Sequence, residues 1–175
     1  MKSTSLAICK KVFCTKYILF IIFIISVSQY KAQTITVTGT NWTVSVPTIT
    51  EAGSNYAGLY ESATNQAILA VSVPLLLGNA KVSVHYEANP TWHNSLVLSA
   101  KRTSNGTTVC ALCSITGGTA YQTVTLTDIE LFRIQAVLAL AAYTGINIQF
   151  QLSGVSVTIP ATSYQSRIVF TVSGI

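Results

Sequence analysis

Lys81-Val82-Ser83-Val84-His85-Tyr86 alternates polar and apolar side chains at every step, and this stretch decides the fold class. Alternation with a period of two is the signature of a strand with one dry face and one wet face. The same period recurs in Thr34–Thr38, Trp42–Val46 and Arg167–Val172. Strands of this kind build antiparallel sheets that stack as a sandwich or close as a barrel.

Composition agrees with this pattern. Thr, Val and Ile make up about a third of residues 33–175, and their branched β-carbons favour strands over helices. Gly and Pro residues interrupt the apolar runs at the spacing of short strands, and we count eight or nine of them. We therefore predict an all-β fold, an antiparallel immunoglobulin-like β-sandwich.

One segment departs from the strand pattern. Thr127-Asp128-Ile129-Glu130 has the form of a helix capping box, Leu131–Ala142 is rich in Leu and Ala, and Gly145 follows as a stop. This predicts one short helix across the end of the sandwich. Asn105-Gly106, between the apolar runs Ser95–Arg102 and Thr107–Ile115, predicts a hairpin turn because both residues tolerate positive φ.

The charges divide the chain into two parts. Residues 1–32 hold five of the ten Lys and Arg and none of the five Asp and Glu, so residues 33–175 have a formal net charge of zero. A basic start, the apolar run Ile18–Ile25 and a small-residue end are typical of a signal peptide, and we expect cleavage between Gln29 and Gln33. The run is too short to span a membrane. We therefore predict a signal peptide over 1–32, one domain over 33–175, and a secreted or cell-surface protein, extracellular or periplasmic, with no integral membrane segment.

A neutral, sparsely charged domain gives no reason to expect nucleic acid as a partner. It also lacks the self-repulsion that keeps most soluble proteins apart, which favours self-association or contact with a surface or glycan. Thr34–Thr38 is either the first strand of its own sandwich or a strand that leaves to complete a second copy.

Cys110-Ala111-Leu112-Cys113 is the most chemically specific motif of residues 33–175. Export favours a disulfide, which requires that the two intervening residues turn, because an extended strand would point the β-carbons to opposite faces. A zinc site would need two more ligands, for which only His85 and His93 are available. A redox pair would need a helix start, whereas the flanking residues read as strand.

Catalytic patterns are scarce. His85 and Glu87 share one face of a predicted strand and could act as a base and its orienting group, but such a pair is more often an exposed strand face. The sequence contains no nucleophile elbow and no phosphate-binding loop. We predict that the protein is not an enzyme and uses no cofactor or metal.

The best candidate binding loop is Asn89–Asn94, which has a Pro-fixed turn and carries Trp92 and His93, with Tyr86 just before it. Loops of this kind present rings to a ligand, or they cap the end of a sandwich. Trp42, early in the chain, is predicted to be a core residue.

The stretch Ile146–Ala161, followed by Tyr164 and Ile168–Val172, supplies a strand, a Pro-containing turn and a final strand. It resembles the C-terminal strands of spore-coat-U and pilin-like secreted bacterial β-sandwich proteins. The resemblance implies an immunoglobulin-like sandwich with a role in a surface coat or fibre.

From the sequence we therefore expect a non-catalytic, secreted structural or adhesive surface protein of the coat or fibre type. A carbohydrate- or protein-binding module is the alternative, and a small secreted hydrolase is a third. A coat subunit needs an open sheet edge, whereas a binding module needs clustered exposed rings.

Overall fold

The computed structural model describes residues 32–56, 58–74, 78–136 and 141–175. Apart from Ala32, the predicted signal peptide lies outside these ranges. The described residues form strands and irregular segments, and none of them is helical. The strands are β1 (Thr34–Gly39), β2 (Leu59–Glu61), β3 (Ala67–Val73), β4 (Asn79–Ala88), β5 (Val97–Arg102), β6 (Thr107–Thr108), β7 (Ser114–Thr116), β8 (Gln122–Thr123), β9 (Ile129–Gln135), β10 (Ala141–Ser153) and β11 (Ser166–Gly174).

The strands form two antiparallel sheets that pack face to face, which confirms the predicted β-sandwich. The first sheet has the order β1-β3-β10-β5-β8, with β2 and β6 also paired to β10, and the second has the order β11-β4-β9-β7. Immunoglobulin-like sandwiches share this two-sheet architecture, though not always the exact topology. Here the chain alternates between the two sheets from β3 onward, except that β6 follows β5 in the first sheet.

Strand β10 is the centre of the first sheet and has 13 residues. One of its edges pairs with β3 and then β2, and the other pairs with β5 and then β6. Its ladder to β3 shifts between Tyr143 and Ile146, where β10 has one residue more than its partner. Gly145 lies in this bulge with a φ of 74°, a conformation that glycine adopts without steric cost.

The hairpin predicted at Asn105-Gly106 is wrong. Strands β5 and β6 do not pair with each other but follow one another along the same edge of β10. Between them the chain stays on β10, since the Thr103 amide donates to the Asn147 carbonyl (2.9 Å) and the Asn147 amide donates to Ser104 Oγ (3.1 Å). The Asn-Gly pair therefore accommodates the bulge in β10 instead of reversing the chain.

The helix predicted over Leu131–Ala142 is also wrong where the structure describes it. Leu131 to Gln135 belong to β9, Ala141 and Ala142 begin β10, and residues 137–140 lie outside the described residues. The ladder to β4 shifts between Val82 and Ser83, so Leu131 and Phe132 both face the core. This bulge breaks the period of two in the sequence and removes the alternation that would have identified the strand.

Trp42–Val46, predicted as a strand, belongs to no sheet. Strand β1 ends at Gly39, opposite Ala67 at the start of β3. The residues that precede β3 form a turn, in which the Gln66 amide donates to the Ala63 carbonyl (3.2 Å). The segment thus has the alternation of a strand without a partner for its ladder. Strand β1 itself pairs with β3 of its own chain, so it is the first strand of its own sandwich.

The core lies between the sheets and is mostly aliphatic, with Phe132, Tyr143, Phe150 and Phe170 as its buried aromatic residues. Its largest fully buried side chains are Phe132, Leu69, Leu131, Ile134, Ile146, Ile148, Val71, Val73, Val82 and Val84. Full burial of each contributes roughly 1.5–3 kcal/mol. Two edges of the sandwich end in the short strands β7 and β8, while the other two, β1 and β11, are long and lie against each other.

Gly106 and Gly145 provide a matched test of the bulge. Both have a φ near 70°, but a β-carbon at Gly106 would lie 2.9 Å from the Ile146 nitrogen, whereas one at Gly145 would meet nothing within 4 Å. We expect Gly106→Ala to lower the free energy of unfolding by about 2–4 kcal/mol and Gly145→Ala by about 1 kcal/mol. Urea unfolding measures both. Equal losses would contradict the close approach of Gly106 to β10.

Candidate functional site

A solvent-open groove of ≈ 1590 Å³ lies beside the sandwich. Its walls come from the end of β1, the segment 40–46, the loop after β4 and the irregular chain 155–165 between β10 and β11. Apolar side chains line it together with hydroxyl and amide groups. Among the described residues, only Glu87 and Arg167 line it with a charge. They neutralise each other, with Arg167 Nε donating to Glu87 Oε2 at 2.7 Å.

The predicted binding loop borders this groove, but its residues are separated. Trp92 lines the groove and packs against Tyr86 at a ring distance of 5.7 Å. His93 does not line it, because its ring meets Tyr164 edge-on at 5.9 Å and its Nδ1 accepts the Ser95 amide at 3.2 Å. Of the three predicted residues only Trp92 is placed to contact a molecule in the groove.

The Trp92 indole adds a polar feature to the groove. Its Nε1 is buried and has no hydrogen-bond partner. A buried donor without a partner costs about 1–3 kcal/mol. Trp92 therefore lines the groove through its ring, while its one polar atom is buried away from solvent.

Trp42 was predicted from the sequence as a core residue, and its place in the groove was not predicted. It packs against the core, stacking on Phe150 at a ring distance of 6.4 Å, and it also lines the groove. A second cleft of ≈ 360 Å³ lies on its other side, between residues 42–45 and β2. The unpaired segment therefore separates two open spaces, and both tryptophans of the chain face the larger one.

The polar face of the second sheet holds the charge pairs. In β4, Ala80, Val82 and Val84 face the core, so Lys81, Ser83, His85 and Glu87 point outward. All three ion pairs found among the described residues lie on this face: His85 with Asp128 (2.6 Å), Glu130 with Arg133 (2.5 Å), and Glu87 with Arg167.

The candidate pair His85 and Glu87 is not brought together. His85 Nδ1 contacts Asp128, and Glu87 contacts Arg167. Both pairs are partly exposed on the outer face of the second sheet; the His85–Asp128 pair lies outside the groove, whereas Glu87 and Arg167 also line it. They form a solvated charged face, which is the interpretation that the sequence favoured.

Cys110 and Cys113 form a disulfide with a Cα–Cα distance of 5.4 Å. Ala111 and Leu112 form the turn that this bond requires, closed by the Cys113 amide donating to the Cys110 carbonyl at 3.3 Å. The loop joins β6 of the first sheet to β7 of the second.

We expect a thiol probe to label neither cysteine until a reductant is added. The paired change Cys110→Ser with Cys113→Ser should lower the free energy of unfolding by about 2 kcal/mol, the value for so short a closed loop. Thiol labelling with mass analysis and urea unfolding measure the two effects. Labelling without reductant would contradict the disulfide.

A further polar cluster lies on the outer face of the first sheet. Glu61 Oε1 accepts from Gln151 Nε2 (3.0 Å), and Lys101 Nζ lies 4.2 Å from the Tyr121 ring centre. Burial, and then the neighbouring Glu61 carboxylate, raise the pKa of Tyr121 to about 12. A phenol so disposed stays neutral at physiological pH and is no nucleophile.

This pKa predicts a loss of stability at alkaline pH. The pKa of Tyr121 is higher in the folded chain than its ordinary value of 10.0. The neutral phenol therefore contributes fully to the free energy of unfolding below pH 10, and this contribution is lost as the pH rises towards 12. Solvent screening limits the loss to about 1 kcal/mol. Urea unfolding at rising pH should show a smaller decline for Tyr121→Phe than for the unaltered protein, and identical declines would contradict the assignment.

Over the described residues no cluster of three or more His, Cys, Asp or Glu could hold a metal ion. Within the same ranges no helix is long and apolar enough to cross a membrane. Comparisons with protein-family models, curated proteins and solved structures return no match for this chain.

Proposed function

We propose that this chain is a secreted, non-catalytic structural or adhesive surface protein whose copies associate through the side of the sandwich that carries the groove. The observation that carries the proposal is the absence of unpaired charge from the groove. Two of the three ion pairs among the described residues lie away from the groove, and the third, Glu87 with Arg167, lines it as a neutral pair. Like surfaces of this kind meet without repulsion.

Exposed apolar side chains at the groove support the same proposal. Val37 is 47%, Val46 40% and Val157 55% exposed, and all three line the groove. Exposed apolar groups gathered in one place, with polar groups around them, are typical of interaction sites. The long free edges of β1 and β11 lie on this side, whereas the opposite edges are the short strands β7 and β8.

The sequence supplies the remaining support. The signal-peptide pattern favours export of the domain from the cytoplasm, and the resemblance of the C-terminal strands to coat and pilin-like proteins fits a structural role. The flat, solvated setting of His85 and its neighbours favours a non-catalytic protein.

The experiment is sedimentation velocity on the exported protein over a range of concentrations. We expect self-association, weakened at least tenfold by Val46→Lys or Val157→Lys, because each places a charge in the uncharged contact. Thr171→Lys is the matched control, since Thr171 is exposed on the charged face of the second sheet. A monomer at every concentration would contradict the proposal, as would equal weakening by the control.

A carbohydrate- or protein-binding module is the second candidate, favoured by the aromatic rings that line the groove, Trp42, Tyr56, Trp92 and Tyr164. Both tryptophans line that groove, so intrinsic fluorescence reports its occupation directly. A monomer whose fluorescence responds to a glycan or peptide would support this candidate over self-association.

A further inference from the structure

Arg102 is a buried cation that has no acidic partner among the described residues. It is 5% exposed and projects from β5, with its Nε and Nη2 donating to the Gly117 carbonyl at 3.1 and 2.8 Å. Its guanidinium lies 5.9 Å from the Phe132 ring centre, and burial lowers its pKa. A buried charge with only neutral partners is costly to the fold.

The third partner of the guanidinium is an amide. Arg102 Nη1 donates to Asn105 Oδ1. Asn105 is exposed to water and is followed by Gly106, and this is the one Asn-Gly sequence in the chain. Glycine has no side chain to shield its backbone nitrogen, and the Gly106 N–H has only a weak contact to Ser104 Oγ at 3.4 Å.

We propose that Asn105 is a deamidation site of the folded protein, at which the amide becomes the carboxylate that Arg102 lacks. The Gly106 nitrogen attacks Cγ of Asn105, a C–N bond forms, and the Cγ–Nδ2 bond breaks with release of ammonia. The Gly106 amide proton leaves on that ammonia. Water then opens the resulting succinimide, so the reaction consumes one water and needs no oxidant or reductant.

The position of Arg102 favours both steps. Its N–H polarises the Cγ carbonyl and stabilises the negative charge that develops on Oδ1, as an oxyanion-hole donor does. The same contact directs the opening water to Cγ, which restores the normal backbone with an aspartate side chain instead of isoaspartate. The product carboxylate forms a charge-assisted hydrogen bond with the guanidinium, stronger than the bond to the neutral amide.

The consequence is a covalent maturation that strengthens a junction between the sheets. Asn105 lies in the break between β5 and β6, and Gly117 lies just after β7 of the second sheet. This inference does not depend on the proposed function.

The test has two parts, and the first follows the reaction. The exported protein is incubated at mildly alkaline pH, folded or unfolded in urea, and the peptide that contains Asn105 is mapped by mass spectrometry with isoaspartate detection. We expect conversion in the folded protein mainly to aspartate, and in urea mainly to isoaspartate. An Asn105 that stays intact in the folded protein while it reacts in urea would overturn the proposal, as would mainly isoaspartate in both.

The second part tests the product. Asn105→Asp should raise Tm by about 2–6 °C, because it supplies the carboxylate. Asn94→Asp is the matched control: it makes the same change of charge at an exposed asparagine, and it should leave Tm unchanged. A lower or unchanged Tm for Asn105→Asp would refute the proposed gain at Arg102.

Discussion

The hydrogen-bonded ladder on both edges of β10 is the constraint on which the rest of the structure depends. This one strand pairs with four others, so every strand of the first sheet except the edge strands β1 and β8 bonds to it directly. Its bulge at Gly145 shifts the ladders on both edges. Strand β3 continues through the shift, whereas the opposite edge is interrupted at Thr103–Gly106, between β5 and β6. Arg102 and Asn105 meet at this interruption, so the buried cation lies next to the same irregularity.

Strict alternation in β4 was sufficient to predict an antiparallel sandwich, because each polar residue of that stretch faces outward and each apolar one inward. The wrong helix and the wrong hairpin have one physical cause in common. In β9 a bulge places Leu131 and Phe132 side by side in the core, and Asn105-Gly106 accommodates the bulge of its partner. Bulges depend on register between strands distant in sequence, which a local pattern does not contain.

The candidate site was predictable only in part. The turn at Ala111-Leu112 could be predicted from the geometry of a disulfide. The bond requires the β-carbons of Cys110 and Cys113 to lie close together, which the chain achieves only if it turns between them. Trp92 could be singled out as a loop tryptophan, but His93 turns to Tyr164, and Trp42 joins the groove because β1 ends before its ladder can continue. Where a loop lies relative to two sheet edges is a property of the assembled fold. The groove therefore has no signature in the sequence.

The unequal edges of the sandwich have a consequence for the symmetry of any assembly. Strands β7 and β8 are too short to accept a neighbour, whereas β1 and β11 are long and lie on one side. Under the proposed self-association, one side of the molecule forms the contact. A two-fold pair buries this side completely, because each copy presents the same patch to the other. Such a pair is closed and stops growing. An extended coat or filament built from this chain would require a second, heterologous contact, and the charged face of the second sheet is the surface left to provide it.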